Sequence, residues 1–289
     1  MPDDPTAAAP LMLEGLGFPE ALRWHDGALW FSDMFRSRVM RWSLDAPGSR
    51  VETVIDAAGG GPIMPGGLGW LPDGSLLVVD CLERRVLRVA EGSDAVSVHA
   101  ELAELMTYSA NDMHVDPDGT AWVGGYGFDP ERDEPRPSPL VRIAPDGTAS
   151  LTASTFVFPN GCERDANGAL LVAETFADRV SSLSHDTELT LRAELPPGSG
   201  PDGLSIAPDG TVYVALAFAA ELVALPPRVI YRPEPIADGP GAGPLGVYDC
   251  AVHPDGARIA VAIASTDETL AERVDTGRIV MLELPGESS

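Results

Sequence analysis

The chain has 289 residues and a formal charge of −25, and all 19 of its basic side chains are Arg. So acidic a surface is repelled by phosphate backbones and anionic membranes, so neither nucleic acid nor a membrane is an expected partner. The lack of Lys removes Schiff-base, pyridoxal phosphate and Walker-type nucleotide chemistry.

In chain order, residues 1–10 read as a flexible segment, and "MPDDPTAAAPLML" is acidic where a secretory signal needs a basic region. No apolar run approaches the roughly 18 residues of a membrane span. Cys81, Cys162 and Cys250 are odd in number and form no CxxC pair, as expected of buried, reduced thiols in a cytoplasmic protein. From residue 11 a strand-like run, "LMLEGL", precedes six similar units. Their turn dipeptides, Asp26-Gly27, Asp73-Gly74, Asp118-Gly119, Asn167-Gly168, Asp209-Gly210 and Asp255-Gly256, recur every 42 to 49 residues. Each is followed by an alternating run ("ALWFSD", "SLLVVD", "TAWVGG", "ALLVAE", "TVYVAL", "ARIAVA"), and in most units by two more. Such a period predicts an all-β six-bladed β-propeller of four-stranded antiparallel blades over residues 11–289. A sandwich needs no sixfold period. The last unit ends one strand short, at "RIVMLELPGESS", so "LMLEGL" is expected to supply its outer strand and close the ring.

Innermost strands line a propeller's channel, and their first residues stand on the rim opposite the turn dipeptides. Seven residues before each turn lie Gly66, Asn111, Asn160, Asp202 and Tyr248, with Glu20 six residues before the first turn. Glu20, Asn160 and Asp202 follow proline, which fixes the approach of the chain. Asn or Asp beside Gly commonly makes only a local turn, but four polar slots in register around a ring point to convergence at the axis. Two carboxylates and two amide carbonyls form an oxygen-only set with two negative charges. That set suits one divalent cation, Ca²⁺ ahead of Zn²⁺, Mn²⁺ or Mg²⁺, with positions left for water and substrate.

The links from second to third strands emerge on the same rim and bring Asp33, Asp80, Tyr126, Glu174 and Phe218 toward the site. Residues 125–140 form a long charged, proline-rich link, either a lid or a solvated insertion. Met106, Tyr108, Tyr126, Phe156 and Phe158 are candidates for apolar walls, or for packing between blades. Gly66 is expected to leave room for a bulky ligand. Asp249 is a candidate additional acid or base. His25 and His253 belong to the far rim, and alternation turns His114 into its blade.

The motifs "FPEALRWHDGALWFSD", "NDMHVDPDGTAWVG", "FPNGCERDANGALLVAE" and "GPDGLSIAPDGTVYVAL", in this frame and order, resemble the senescence marker protein, gluconolactonase and luciferin-regenerating enzyme family. The resemblance spans residues 11–284 and implies a single divalent metal held by Glu20, Asn160 and Asp202, with Asn111 as a further ligand or substrate contact. It implies a lactone hydrolase with Asp202 and Glu20 as catalytic carboxylates, Asp202 helping to activate water. Asn111, Ser109, Tyr126 and Tyr108 are the expected contacts to a small-molecule substrate. A phosphotriesterase-like hydrolase at the same metal and a non-catalytic ligand-binding propeller are the alternatives. Sugar-lactone members usually carry Arg where this chain has Ser109, and Gly-Lys where it has Met113-His114. Both departures point to a more apolar substrate.

Overall fold

The computed structural model describes residues 11–44, 50–185 and 187–284. The expected flexible segment, residues 1–10, lies outside them. The rest forms six four-stranded antiparallel sheets, the β-propeller anticipated from the repeat. Five sheets run in simple chain order from an innermost strand outward. The innermost strands are Pro19–His25, Pro65–Trp70, Ala110–Val115, Pro159–Arg164, Pro201–Ile206 and Leu245–Val252.

The sixth sheet takes Leu245–Val252, Arg258–Ser265 and Gly277–Glu283 from the end of the chain and Leu11–Leu16 from its beginning as the outer strand. The early strand thus closes the ring, as expected. Leu16 is buried in a cluster that joins Leu22, Phe31 and Trp42 of the first blade to Ala251, Ala260 and Met281 of the sixth. Apolar layers of this kind lie between neighbouring blades. Leu171, Ala173 and Val180 of blade four, for example, pack with Leu204, Val214 and Leu216 of blade five.

The Asp-Gly turns have a common chemistry. Asp73, Asp118, Asp209 and Asp255 each accept a hydrogen bond from the backbone N–H two residues on, at 2.8–3.0 Å. The Gly between has φ between +73° and +89°, the left-handed region that a side chain disfavours. Blade five has the shortest outer strands, Glu221–Ala224 and Arg228–Tyr231, joined through "LPPR". Proline interrupts the alternation there, which is why no outer strand is evident from this part of the sequence.

Every innermost strand carries a bulge or irregularity near its start: between Glu20 and Arg23, Pro65 and Leu68, Ala110 and Met113, Pro159 and Cys162, Pro201 and Leu204, and Val247 and Asp249. A bulge shifts the alternation of side chains by one. Residues three apart therefore both face the axis, one toward each end of the channel.

Candidate active site at one mouth of the channel

Glu20, Asn111, Asn160 and Asp202 line a single cavity of about 380 Å³ at one end of the channel, together with Ser109, Tyr126 and Tyr248. Four blades thus bring together the four polar slots read from the sequence. Asn111 Nδ2 donates to Asn160 Oδ1 at 2.7 Å. Asn160 Nδ2 donates to Thr175 Oγ1 at 3.2 Å. Thr175 is buried at the start of the 3-10 turn Thr175–Ala177 that follows the neighbouring strand, and its backbone N–H donates to the Phe158 carbonyl. This chain of contacts fixes the amide of Asn160, leaving its oxygen on the axial side with Asn111.

Asp202 is buried, and Glu20 keeps part of its surface open to the cavity. Burial raises the pKa of Glu20 well above the usual carboxylate range, and Asp202, Asp249 and Asp112 add to the effect. Asp202 is likewise raised, by burial first and then by Asp249, Asp112 and Glu268. Among the described residues the main influences on both carboxylates are burial and neighbouring acidic groups, and no basic side chain lines their cavity. Desolvated carboxylates with no cationic partner are costly, and a divalent ion is the partner that the donor chemistry fits. Among the described residues no three His, Cys, Asp or Glu side chains group to hold a metal. The candidate set is the mixed one read from the sequence, two carboxylates and two amides around one cavity, with the Asn160 oxygen accepting from Asn111 Nδ2.

One step along each inner strand the axis is crowded. A Cβ on Gly67 would meet Met113 N at 2.2 Å, and one on Gly203 would meet Asp249 Oδ1 at 1.8 Å. Asp112 and Asp249 occupy this level with Arg23 between them. Arg23 Nη2 lies 3.2 Å from Asp112 Oδ1, and Arg23 Nη1 lies 3.5 Å from Asp249 Oδ2. Below them a second cavity of about 370 Å³ opens at the other end, with Arg23, His114, Glu163 and Ser205 in its wall. These four lie three residues beyond Glu20, Asn111, Asn160 and Asp202, as the bulges require.

The model of the SMP-30/Gluconolactonase/LRE-like region matches residues 18–228. The chain belongs to this family. Among solved structures, luciferin-regenerating enzyme superposes with a TM-score of 0.71 at 16% identity over 95% of this chain and 94% of that one. Regucalcin, a calcium-binding protein from Agrobacterium tumefaciens, gives 0.69 at 17% identity over 94% and 93%. A gluconolactonase from Xanthomonas campestris gives 0.68 at 18% identity over 95% and 89%. At these identities the likeness is one of fold. No curated protein matches the chain.

In this member of the family several residues stand elsewhere than the sequence suggests. Asp33, Asp80 and Glu174 do not face the cavity. Each ends a second strand and is fully buried against the Arg opposite it on the third: Asp33 with Arg38 at 2.7 Å, Asp80 with Arg85 at 3.0 Å and Glu174 with Arg179 at 2.7 Å. They also accept from the backbone N–H groups of Gly17, Ile63 and Val157, so they clamp the loop before each inner strand. Nor does Gly66 leave room, because Asn111 O and Cys81 Sγ would lie 2.4 and 2.6 Å from a Cβ there. Asp249 does not reach the cavity. Its carboxylate accepts from Leu22 N and Cys250 N, and burial, opposed by Arg23 and aided by Asp112, pushes its pKa up to about 7.

The expectation for His114 fails at the bulge, which turns its ring toward the second cavity, with Nε2 3.2 Å from Asp116 Oδ1. Tyr108 is half-buried outside the cavity, because the turn after Leu102 carries it away. Met106 and Phe156 are core residues, whereas Phe158 and Phe218 line the cavity. His25 and His253 lie on the far rim as expected, His25 stacked on Trp70 at 3.9 Å and His253 edge-on to Trp24. From the long link after blade three's second strand, Pro130 and Glu131 reach the cavity mouth.

Sequence reasoning missed Phe18, Phe35, Phe176 and Glu268 at the mouth, and Thr175 behind Asn160. Glu268 begins the short helix Glu268–Arg273, whose N-cap Asp267 accepts from Leu270 N. An Asp three residues before an apolar position was the available signal.

Proposed function

We propose that the protein is a divalent-metal-dependent hydrolase of a lactone or related cyclic ester. The observation that carries the reading is the meeting of Glu20, Asn111, Asn160 and Asp202 in one cavity that no basic side chain lines among the described residues. Membership of the family and solved relatives named gluconolactonase and regucalcin support it. Calcium is the first expectation among divalent ions because every donor is a hard oxygen.

Glu20, Asn111, Asn160 and Asp202 would hold the cation. When bound, it supplies Lewis-acid polarisation of the ester carbonyl. The chain's own residues do the rest. Asp202, near the start of its strand and in the cavity wall, would accept a proton from the attacking water, help worth about 10²–10⁴ in rate. Thr175 fixes the Asn160 amide, and Asn111 and Ser109 would orient the substrate. The buried floor excludes bulk water behind the reacting group.

The test is metal analysis of the purified protein together with hydrolysis of a lactone panel, with and without chelator. One bound divalent ion and hydrolysis abolished by chelator and restored by Ca²⁺ are expected. Activity indifferent to chelator would overturn the metal assignment, and chelator-sensitive hydrolysis of phosphotriesters alone would move the reaction class.

A further inference from the structure

Above the four oxygen donors the cavity is walled by aromatic rings. Tyr126 stacks on Phe158 with centroids 3.8 Å apart and planes 15° apart. Phe176 continues this wall, 5.6 Å from Phe158 and 6.0 Å from Phe218. Elsewhere in the wall Phe18 packs on Tyr248 with centroids at 4.4 Å. Phe176 and Phe218 remain 36% and 56% exposed, large apolar surface left open beside a cavity. Phe218 is nevertheless held in place. A Cβ on Gly200 would lie 2.4 Å from its ring, so the glycine admits the ring against the backbone.

The polar side of the wall is sparse. Among the described residues no Arg or His lines the cavity, and beyond the floor its charged groups are Glu131 and Glu268, both exposed. Of the hydroxyls, that of Thr175 serves Asn160 and that of Tyr248 donates to the Ser265 carbonyl at 3.1 Å. Ser109 and Tyr126 are left to meet a substrate. A polyhydroxylated ring desolvated here would leave most of its hydroxyls unpaired, which a site penalises heavily. An anionic substrate would meet two rim carboxylates and no cation from the chain. An aromatic group, by contrast, gains offset or edge contacts along the whole wall.

We infer that this site selects uncharged lactones or cyclic esters bearing an aromatic or bulky apolar substituent, seated on the Tyr126, Phe158, Phe176 and Phe218 wall, and discriminates against sugar lactones. The inference rests on the proposed hydrolase reading for the reacting group, while recognition of the aromatic group stands apart from it.

The experiment uses the full-length protein loaded with Ca²⁺. Hydrolysis of a phenyl-substituted γ-lactone is compared with that of an aldonolactone, and binding of the matching phenyl lactam, which resists hydrolysis, is followed by calorimetry. A preference for the phenyl lactone of at least about 100-fold in kcat/KM is expected, together with lactam binding. The exposed double variant Phe176→Ala/Phe218→Ala should weaken lactam binding and lower the preference by about tenfold. Phe218→Leu, which keeps bulk without a ring, should fall between. An aldonolactone hydrolysed as well as the phenyl lactone, or a lactam that fails to bind or binds the double variant equally, overturns the inference and leaves the hydrolase reading intact. Lactam binding that depends on Phe176 and Phe218, with no lactone hydrolysed, supports the aromatic selection and overturns the hydrolase reading.

Discussion

The proposed chemistry turns on Asp202, a carboxylate buried beside other acidic groups with no basic side chain lining its cavity among the described residues. Asp202→Asn removes one of two negative charges from the donor set and the group that would accept a proton. The expected outcome is a fall in kcat of about 10²–10⁴ and, in the variant, none of the melting-temperature rise expected of the wild type with Ca²⁺. In chelator the variant should unfold no earlier than the wild type, since an amide costs less to bury than an unpaired carboxylate; differential scanning calorimetry with and without metal checks both. One contact farther out, Thr175→Val releases the Asn160 amide and should weaken metal affinity about tenfold, read by calcium titration with the fold retained.

Asp116 provides a separate pH handle away from this site. Burial acts to raise its pKa, but hydrogen bonds from His114, Arg164 and Trp122 outweigh burial and hold it well below the usual carboxylate range. A depressed folded-state pKa means stability that is present above the unfolded carboxylate range, near 4. It is lost as pH falls through the folded value. Asp116→Asn should therefore cost about 1–3 kcal/mol at pH 7, and the gap between variant and wild type should narrow steadily below about pH 4. Urea unfolding at both pH values measures it. At this scale the four axial donors were legible because their distance from each turn dipeptide is nearly constant. His114, Asp33, Asp80 and Glu174 were misplaced because alternation was carried unbroken through the bulges and the strand ends, and neither feature has a residue signature in a single chain.

At the scale of the element, the closing strand and the buried clamps hold the blades. Leu11–Leu16 covers the outer edge of Gly277–Glu283, paired from Leu11 opposite Val280 to Leu16 opposite Gly277 with two register shifts between. Deleting residues 1–16 bares that edge and removes the buried Leu16 side chain. A lower unfolding midpoint and concentration-dependent association are expected, by thermal melting and light scattering. The clamps make the same point inside a blade. Arg85→Ala would leave Asp80 buried without its cationic partner, a loss of about 3–5 kcal/mol, whereas the exposed pair of Arg232 with Glu221 should contribute under about 1 kcal/mol. The strands themselves were readable wherever alternation is clean, as in "ALWFSD", which is the strand Ala28–Asp33 residue for residue. They were unreadable where proline shortens them, as in blade five, and in the helix Glu268–Arg273, too short for a periodic pattern to show.

For the whole molecule, the charge of −25 works against compactness, because like charges repel most in the folded state. The unfolding midpoint should rise by a few degrees between about 20 mM and 300 mM NaCl, as screening shortens to below about 10 Å. A flat response would mean that counterions or a bound cation already offset the repulsion. The ring itself was the most legible feature of all, since six turn dipeptides recurring every 42 to 49 residues leave few other folds. The plug across its centre was not. Arg23, Asp112 and Asp249, with the bare backbone of Gly67 and Gly203, fill the axis between two cavities that share no lining residue. The ring is therefore a cup rather than a pipe. On the proposed reading, whatever is made in the upper cavity would back out through the doorway by which its precursor came in, so product and incoming molecule would compete for one threshold, and accumulated product should inhibit competitively.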